Sequence, residues 1–397
     1  MDAIRNPYAP GAGTQPPELA GRGALLEQAR IAVHRLRAGR HAKSFIAVGL
    51  RGVGKTVLLN RIETLAIEAG YKTCAIEAQE HRALPALLVP YLRNTLLALD
   101  RMGALAAKVK MGLRVLSSFM RSLKLRYADA ELMLDIDPEI GTADSGDLDA
   151  DLSALFLAVG EAAQARSAPV AILIDEVQYL NELHLGALIL AMHRINQAGL
   201  PLLLVATGLP QVVGLTGQAK SYAERLFDFP VVDALTAADS ADALQRPAVS
   251  EGAEWDQRAL DVIHQFTRGY PYFLQEWGYH TWNIAAGPVI TTEDVRTATK
   301  IAIARLDESF FRVRYDRLTP RERDYLRAMA ELGAGAHRSG DIADRLGARV
   351  QSVGPLRSGL IRKGMIYSPA HGDTAFTVPL FDEYLRRTIP QWRPRLS

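Results

Sequence analysis

The chain has 397 residues, a net charge of +2 and one cysteine, Cys74. That length predicts two or three domains with ample material for cores, and 48 % hydrophobic with 23 % charged residues is the balance of an ordinary folded protein. A single thiol excludes an intramolecular disulfide and a cysteine metal cluster, and reads as a small buried apolar residue near a strand end. The start, Met1 to Pro7, has no apolar core of a secretory signal. The uncharged stretch Ile195–Ala219 is interrupted by Gly199, Pro201, Gly208, Pro210, Gly214 and Gly217, which predicts a buried strand and loop, not a membrane span. A cytoplasmic location follows as the expectation.

In chain order, residues 1–17 are rich in Pro, Gly and Ala and read as an irregular arm. Gly21-Arg22 opens an amphipathic helix through Leu36. The apolar run Phe45–Val48 is a strand, and Gly49-Leu50-Arg51-Gly52-Val53-Gly54-Lys55-Thr56 follows it, with the helical pattern from Val57 behind. Strand, glycine loop and helix is the context of a phosphate loop. Glycines let backbone N–H groups close on phosphate oxygens, and the helix turns its positive dipole end to the same anion. Lys55 would reach the β- and γ-phosphates, and the Thr56 hydroxyl would ligate Mg²⁺. Residues 71–78 predict a second strand and 84–99 a helix.

Residues 101–126 then hold seven Lys/Arg and no acid, and 129–151 nine Asp/Glu and no base. They read either as solvated faces that partly neutralise each other or as a partner-binding insertion, with a strand-like hairpin over Leu123–Ile136. After a helix at 149–166, Val170–Ile174 runs into Asp175-Glu176. Buried parallel strands read as unbroken apolar runs, and ligands sit at their carboxyl ends. Asp175 would therefore join the Mg²⁺ shell, and Glu176 would polarise the attacking water. Together the two motifs predict an ATP or GTP site. Leu180–Asn196 predicts a helix and Leu202–Ala206 a strand ending at Thr207, whose side chain would face the γ-phosphate. Arg225 precedes an expected last core strand, Phe229–Val232, and Thr236 to about Arg314 reads as helical.

Leu318–Arg387 forms a separate unit. Thr319-Pro320-Arg321-Glu322 is a capping box. A second helix is capped by Ser339 and stops at Gly347; a third starts near Ser352-Val353-Gly354-Pro355 and ends at Gly364. Two short strands, Met365–Ser368 and Ala375–Val378, complete a winged helix-turn-helix. From Arg312 onward sixteen Lys/Arg stand against nine Asp/Glu, which suggests an acidic partner, double-stranded DNA first. Arg349, Gln351, Ser352 and Arg357 are candidates for bases or phosphates, and Arg362 and Lys363 for phosphate. His371 would lie on the wing, and Arg386, Arg387, Arg393 and Arg395 would form a basic tail. Helices of this kind also pack on protein, so a protein partner stays open.

These motifs together resemble an AAA+ ATPase of the branch shared by origin-recognition initiators and the STAND/archaeal-ATPase group, over nearly the whole chain. The resemblance implies an α/β fold: a P-loop AAA+ parallel-sheet core over 18–235, a helical lid over 236–315, and the winged-helix domain over 316–397. It further implies that Arg22 lies beside the adenine, that Thr207 helps place the hydrolytic water, and that Arg225 senses the γ-phosphate in cis or across a homo-oligomer interface. Otherwise Arg225 is a surface arginine paired with Glu224 or Asp228. Gly269-Tyr270-Pro271 resembles the G-x-P motif that brings a proline near the base, or is a tight turn between lid helices. Many lids of this family supply a sensor 2 arginine from a Gly-x-x-Arg, which is not found here, so slow, switch-like hydrolysis of ATP to ADP is expected. The alternative is a nucleotide-regulated adaptor or transcription regulator with little or no turnover.

Overall fold

The computed structural model describes residues 1–11, 16, 18–100, 106–122, 137–370 and 372–393. The expected hairpin at 123–136, His371 and Arg395 lie outside them. The chain divides into two compact units: Arg22–Gly49 with Lys55–Val232, and Met1–Gly21 with Leu50–Gly54 and Asp233–Ser397.

The first of these is built on five parallel strands: β1 (Ser44–Val48), β2 (Lys72–Glu77), β3 (Val170–Asp175), β4 (Leu202–Gly208) and β5 (Phe227–Asp228), in the order β2-β3-β4-β1-β5. β1, β3 and β4 are buried along their whole length, as unbroken apolar runs require when helices cover both faces. Cys74 is fully buried inside β2, and burial pushes its thiol pKa up. Register aligns the strand ends, since Val48 pairs with Gly208 and Ile174 with Ala206. The phosphate loop, the acidic pair and Thr207 therefore leave the sheet at one edge.

The last strand differs from expectation. β5 covers Phe227–Asp228, and pairing beyond it is a single bridge between Val231 and Val48. Pro230 has no N–H to give the ladder; its carbonyl instead accepts from the Val48 N–H, at 2.9 Å. The region of segregated charge contributes a helix, Ala106–Ser122, whose Val109, Leu113, Leu116 and Phe119 join the core cluster. Arg114 pairs with Glu139 at 3.0 Å, and Lys108 with Glu161 at 2.6 Å. Part of the basic run is thus matched by acidic side chains.

In the other unit, helices Ala237–Ser250, Gln257–Thr267, Pro271–Ile284 and Thr292–Leu306 pack around Trp277, Trp282 and Phe273. A parallel pair, β6 (Glu254–Trp255) and β7 (Val289–Ile290), stands where continuous helix was expected. Two-residue strands carry no alternation to read. The N-terminal segment is anchored at Tyr8. Tyr8 is 2 % exposed; its hydroxyl donates to the Leu244 carbonyl at 2.6 Å and accepts from the Trp255 indole at 2.7 Å.

The C-terminal part holds helices Pro320–Glu331, Ser339–Leu346, Val350–Arg362 and Phe381–Thr388. Beside them lies a sheet of β8 (His337–Arg338), β9 (Ile366–Tyr367) and β10 (Asp373–Phe376), in the order β8-β10-β9. The capping box forms, with Thr319 and Glu322 exchanging hydrogen bonds. Ser339 is not a cap; it is the first helical residue, and its hydroxyl donates to the Gly372 carbonyl. The third helix starts at Val350, so Pro355 lies inside it rather than in its first turn. No helix among the described residues is long and apolar enough to cross a membrane.

The turn Arg268-Gly269 joins two helices of this unit. Gly269 has φ +71°, and a Cβ there would stand 2.2 Å from the Leu235 carbonyl oxygen, whose own N–H donates to the Gly269 carbonyl at 2.8 Å. Both backbone sign and space demand glycine. Gly269→Ala should destabilise the protein by about 1–3 kcal/mol, the usual scale of enforced backbone strain, as read by chemical denaturation. An unchanged unfolding midpoint would contradict this reading of the turn.

Candidate functional site

Lys55 and Thr56 open the helix Lys55–Glu68, directly after the glycines that give the chain its positive-φ turns, Gly52 at φ 83° and Gly54 at φ 90°. The Gly49 N–H donates to the Gly208 carbonyl at 3.0 Å, which ties the start of the loop to the end of β4. Val57 follows in the first helical turn. Leu50–Gly54 pack within the other unit, where the Tyr272 N–H, one residue after Pro271, donates to the Gly52 carbonyl at 3.2 Å. Pro271 is the first residue of its helix, preceded by the tight turn at Gly269. Arg22, the residue before the helix Gly23–Arg37, is buried.

The centre of the site is the Asp175 carboxylate, 8 % exposed at the end of β3. The Thr56 hydroxyl donates to its Oδ2 at 2.6 Å, and the Thr207 hydroxyl donates to its Oδ1. The Glu176 N–H donates to the same Oδ1, at 2.8 Å. Four expected residues are thereby brought together. Lys55 is also buried, 6 % exposed, so this edge places a cation and a carboxylate at low exposure. Two hard oxygens, the Thr56 hydroxyl and the Asp175 carboxylate, stand within one hydrogen bond of each other. That set suits Mg²⁺, which takes one or two protein oxygens and leaves the rest of its shell to water and phosphate. The residues present fit the ion.

Glu176 sits in the left-handed region, φ 53° and ψ 39°, where a non-glycine residue is strained. Its carboxylate accepts from the Gln178 side-chain amide, and the Gln178 Oε1 in turn accepts the Leu209 N–H at 3.0 Å. Sequence reasoning missed Gln178. Its only signal was the position two residues after a carboxylate at a strand end, on a short 3₁₀ turn, Val177–Tyr179, ahead of the helix expected from Leu180.

Arg225 lies elsewhere. It is exposed on the four-residue helix Ala223–Leu226, two residues before Phe227, and Phe227 pairs with Ser44 at the beginning of β1. The phosphate loop leaves the other end of β1, about 13 Å away at the rise of a strand. Arg225 thus follows the opposite end of β1 from the loop. Asp228 pairs with Lys43 at 2.8 Å, and no ion pair of Arg225 is found among the described residues.

The DNA candidates separate into two groups. Arg349, Gln351, Ser352 and Arg362 are exposed. Arg357 instead donates to the Thr374 and Ser368 hydroxyls and the Asp373 carbonyl, which clamps its helix to the strands. Lys363 pairs with Glu322 at 2.7 Å. Arg386 and Arg387 are likewise held, by Asp382 and by Asp307. Arg393 is exposed.

Residues 18–205 match the AAA ATPase domain family, and residues 308–385 match a domain of unknown function (DUF8462). No curated protein matches the chain by sequence. Among solved structures it is similar to a Walker-type ATPase of Pyrococcus abyssi, at 16 % identity and TM-score 0.59, over 93 % of this chain and 96 % of that one. The ORC1 protein of Aeropyrum pernix in complex with DNA matches at 18 % identity and TM-score 0.48, over 96 % of each chain. Cdc6p of Pyrobaculum aerophilum matches at 16 % and 0.46, over 98 % of each. The domain match and the first of these structures agree with the parallel sheet and its loop: the fold is the α/β P-loop fold of the AAA+ type.

If Lys55 supplies the cation for the β- and γ-phosphates, Lys55→Ala should abolish tight ATP binding. Calorimetry with ATP and Mg²⁺ checks this; an unchanged affinity would remove the site assignment.

Proposed function

We propose that this AAA+-type ATPase binds ATP with Mg²⁺, hydrolyses it slowly to ADP and phosphate, and uses the cycle to position a C-terminal winged helix-turn-helix on DNA or a protein partner. The observation that carries the reading is the convergence of Thr56, Thr207 and the Glu176 N–H on Asp175, beside Lys55. The ion, when bound, supplies positive charge against the γ-phosphate oxygens. Thr56 and Asp175 hold it, and Lys55 screens the same oxygens. Glu176 takes a proton from the attacking water, and Thr207 orients that water. Without a Gly-x-x-Arg to supply a sensor 2 arginine from the lid, less charge stands against the transition state, which favours slow turnover.

Arg225 acts in this account from one subunit on the phosphate of the next. Its place at the far edge of the sheet supports the trans alternative over the cis one. Glu176→Gln should keep ATP bound and slow hydrolysis on the order of 10²–10⁴-fold, the worth of a positioned general base. Arg225→Ala should lower turnover more than binding, and wild-type turnover should rise steeply with protein concentration. Steady-state phosphate release checks both. Wild-type turnover no higher than that of Lys55→Ala would leave the regulator reading, in which nucleotide is bound and not consumed.

For the output, the exposed Arg349, Gln351, Ser352 and Arg362 support contact with double-stranded DNA by the helix Val350–Arg362. A specific observation favours a protein partner as the second reading. Arg357, Lys363, Arg386 and Arg387 are engaged by the domain itself, and Val350 leaves 51 % of its surface exposed at the tip of that helix. If DNA is the partner, log affinity falls linearly with log salt, and Arg349→Ala weakens binding, measured by fluorescence anisotropy. No complex at low salt, with or without ATP, would favour the protein partner.

A further inference from the structure

We infer that Gln178 is the positioning residue of Glu176, and that it couples the base to the end of β4. The inference rests on the ATPase reading above and adds a residue which that reading does not use. Four observations carry it. The Gln178 Oε1 accepts the Leu209 N–H, so the orientation of the carboxamide is fixed and its NH₂ must face Glu176, to which it donates. Gly208 makes the approach possible: a Cβ there would stand 3.0 Å from the Gln178 Oε1, 3.0 Å from Val177 Cγ1 and 2.7 Å from Val212 Cγ2. Glu176 has a strained left-handed backbone, which turns its side chain out of the strand direction and needs surrounding bonds to persist. Finally, Gly208 also accepts the Gly49 N–H, so the segment that orients Gln178 is bonded to the start of the phosphate loop.

The chemistry follows from these bonds. A carboxylate at the end of a strained turn has several rotamers, and only those directed at the water can take its proton. One charge-assisted hydrogen bond from a fixed amide selects among them. Leu209 lies two residues beyond Thr207, so displacement of the β4 end reaches Glu176 through one side chain. Gln178 touches no substrate in this account. It acts through Glu176, and its contribution exists only while Glu176 is a carboxylate that can accept.

Gln178→Glu isolates that contribution. The substitution keeps the shape and an oxygen for the Leu209 N–H, but replaces the donor facing Glu176 with a second carboxylate. Its kcat for ATP should fall at least tenfold with KM within about twofold, since ATP contacts are untouched. In a Glu176→Gln background the same substitution should change kcat less than twofold, because the group it acts through is gone. Gln178→Leu, which removes both bonds, should repeat the pattern. Calorimetric affinity for ATP with Mg²⁺ verifies that each variant is folded. An unchanged kcat in Gln178→Glu, or an equal loss with and without Glu176, would overturn the inference and leave the ATPase reading standing. Absence of wild-type turnover would overturn both.

Discussion

The site depends on the register of three parallel strands. Val48 pairs with Gly208 and Ile174 with Ala206, so the chain leaves β1, β3 and β4 at one end of the sheet, with Asp175 level with Thr207 and Gly49 two residues beyond Ala47, the partner of Thr207. Nothing in the loop sequence alone would bring Thr56 within 2.6 Å of Asp175, 119 positions away. A one-residue slip of β3 would turn Asp175 to the opposite face of the sheet. The near-complete burial of these strands fixes the register, and through it the chemistry.

The sequence was most informative where chemistry and periodicity coincide. The phosphate loop and the acidic pair each carry a spelling that backbone geometry demands, and long apolar runs located the core strands. It was least informative where short elements and tertiary contacts decide. Pro230 moved the edge strand back to Phe227–Asp228, and β6 and β7 are too short for any alternation. Gln178 was illegible because its role depends on Leu209, thirty-one positions away, and on the missing Cβ of Gly208. Neither is visible in the local pattern around Glu176.

Charge counting gave a similar lesson in the C-terminal part. The local excess of basic residues is real, yet four of the arginines and lysines expected to face a partner are used inside the domain. Arg357 clamps a helix to its strands, and Lys363 closes on the capping box through Glu322. Burial raises the Glu322 carboxyl pKa, while Lys363 and the Thr319 N–H lower it by more, and the net result lies below the ordinary value. A charge that stabilises a fold is not available to a ligand, so the surface that remains is smaller than the composition suggests. Of the expected candidates, Arg349, Gln351 and Ser352 at the start of the helix Val350–Arg362, and Arg362 at its end, remain exposed.

The central claim is that Asp175 is the carboxylate through which this edge of the sheet catalyses phosphoryl transfer to water. The most direct test is single-turnover cleavage of γ-labelled ATP, comparing the wild-type protein with Asp175→Asn at saturating Mg²⁺. The asparagine keeps the shape and one oxygen to accept from one of the two threonine hydroxyls, but removes the charge that holds the ion. The account predicts loss of cleavage on the order of 10² or more with the fold retained, since metal charge is worth several kcal/mol at the transition state. Equal cleavage rates in the two proteins would contradict it.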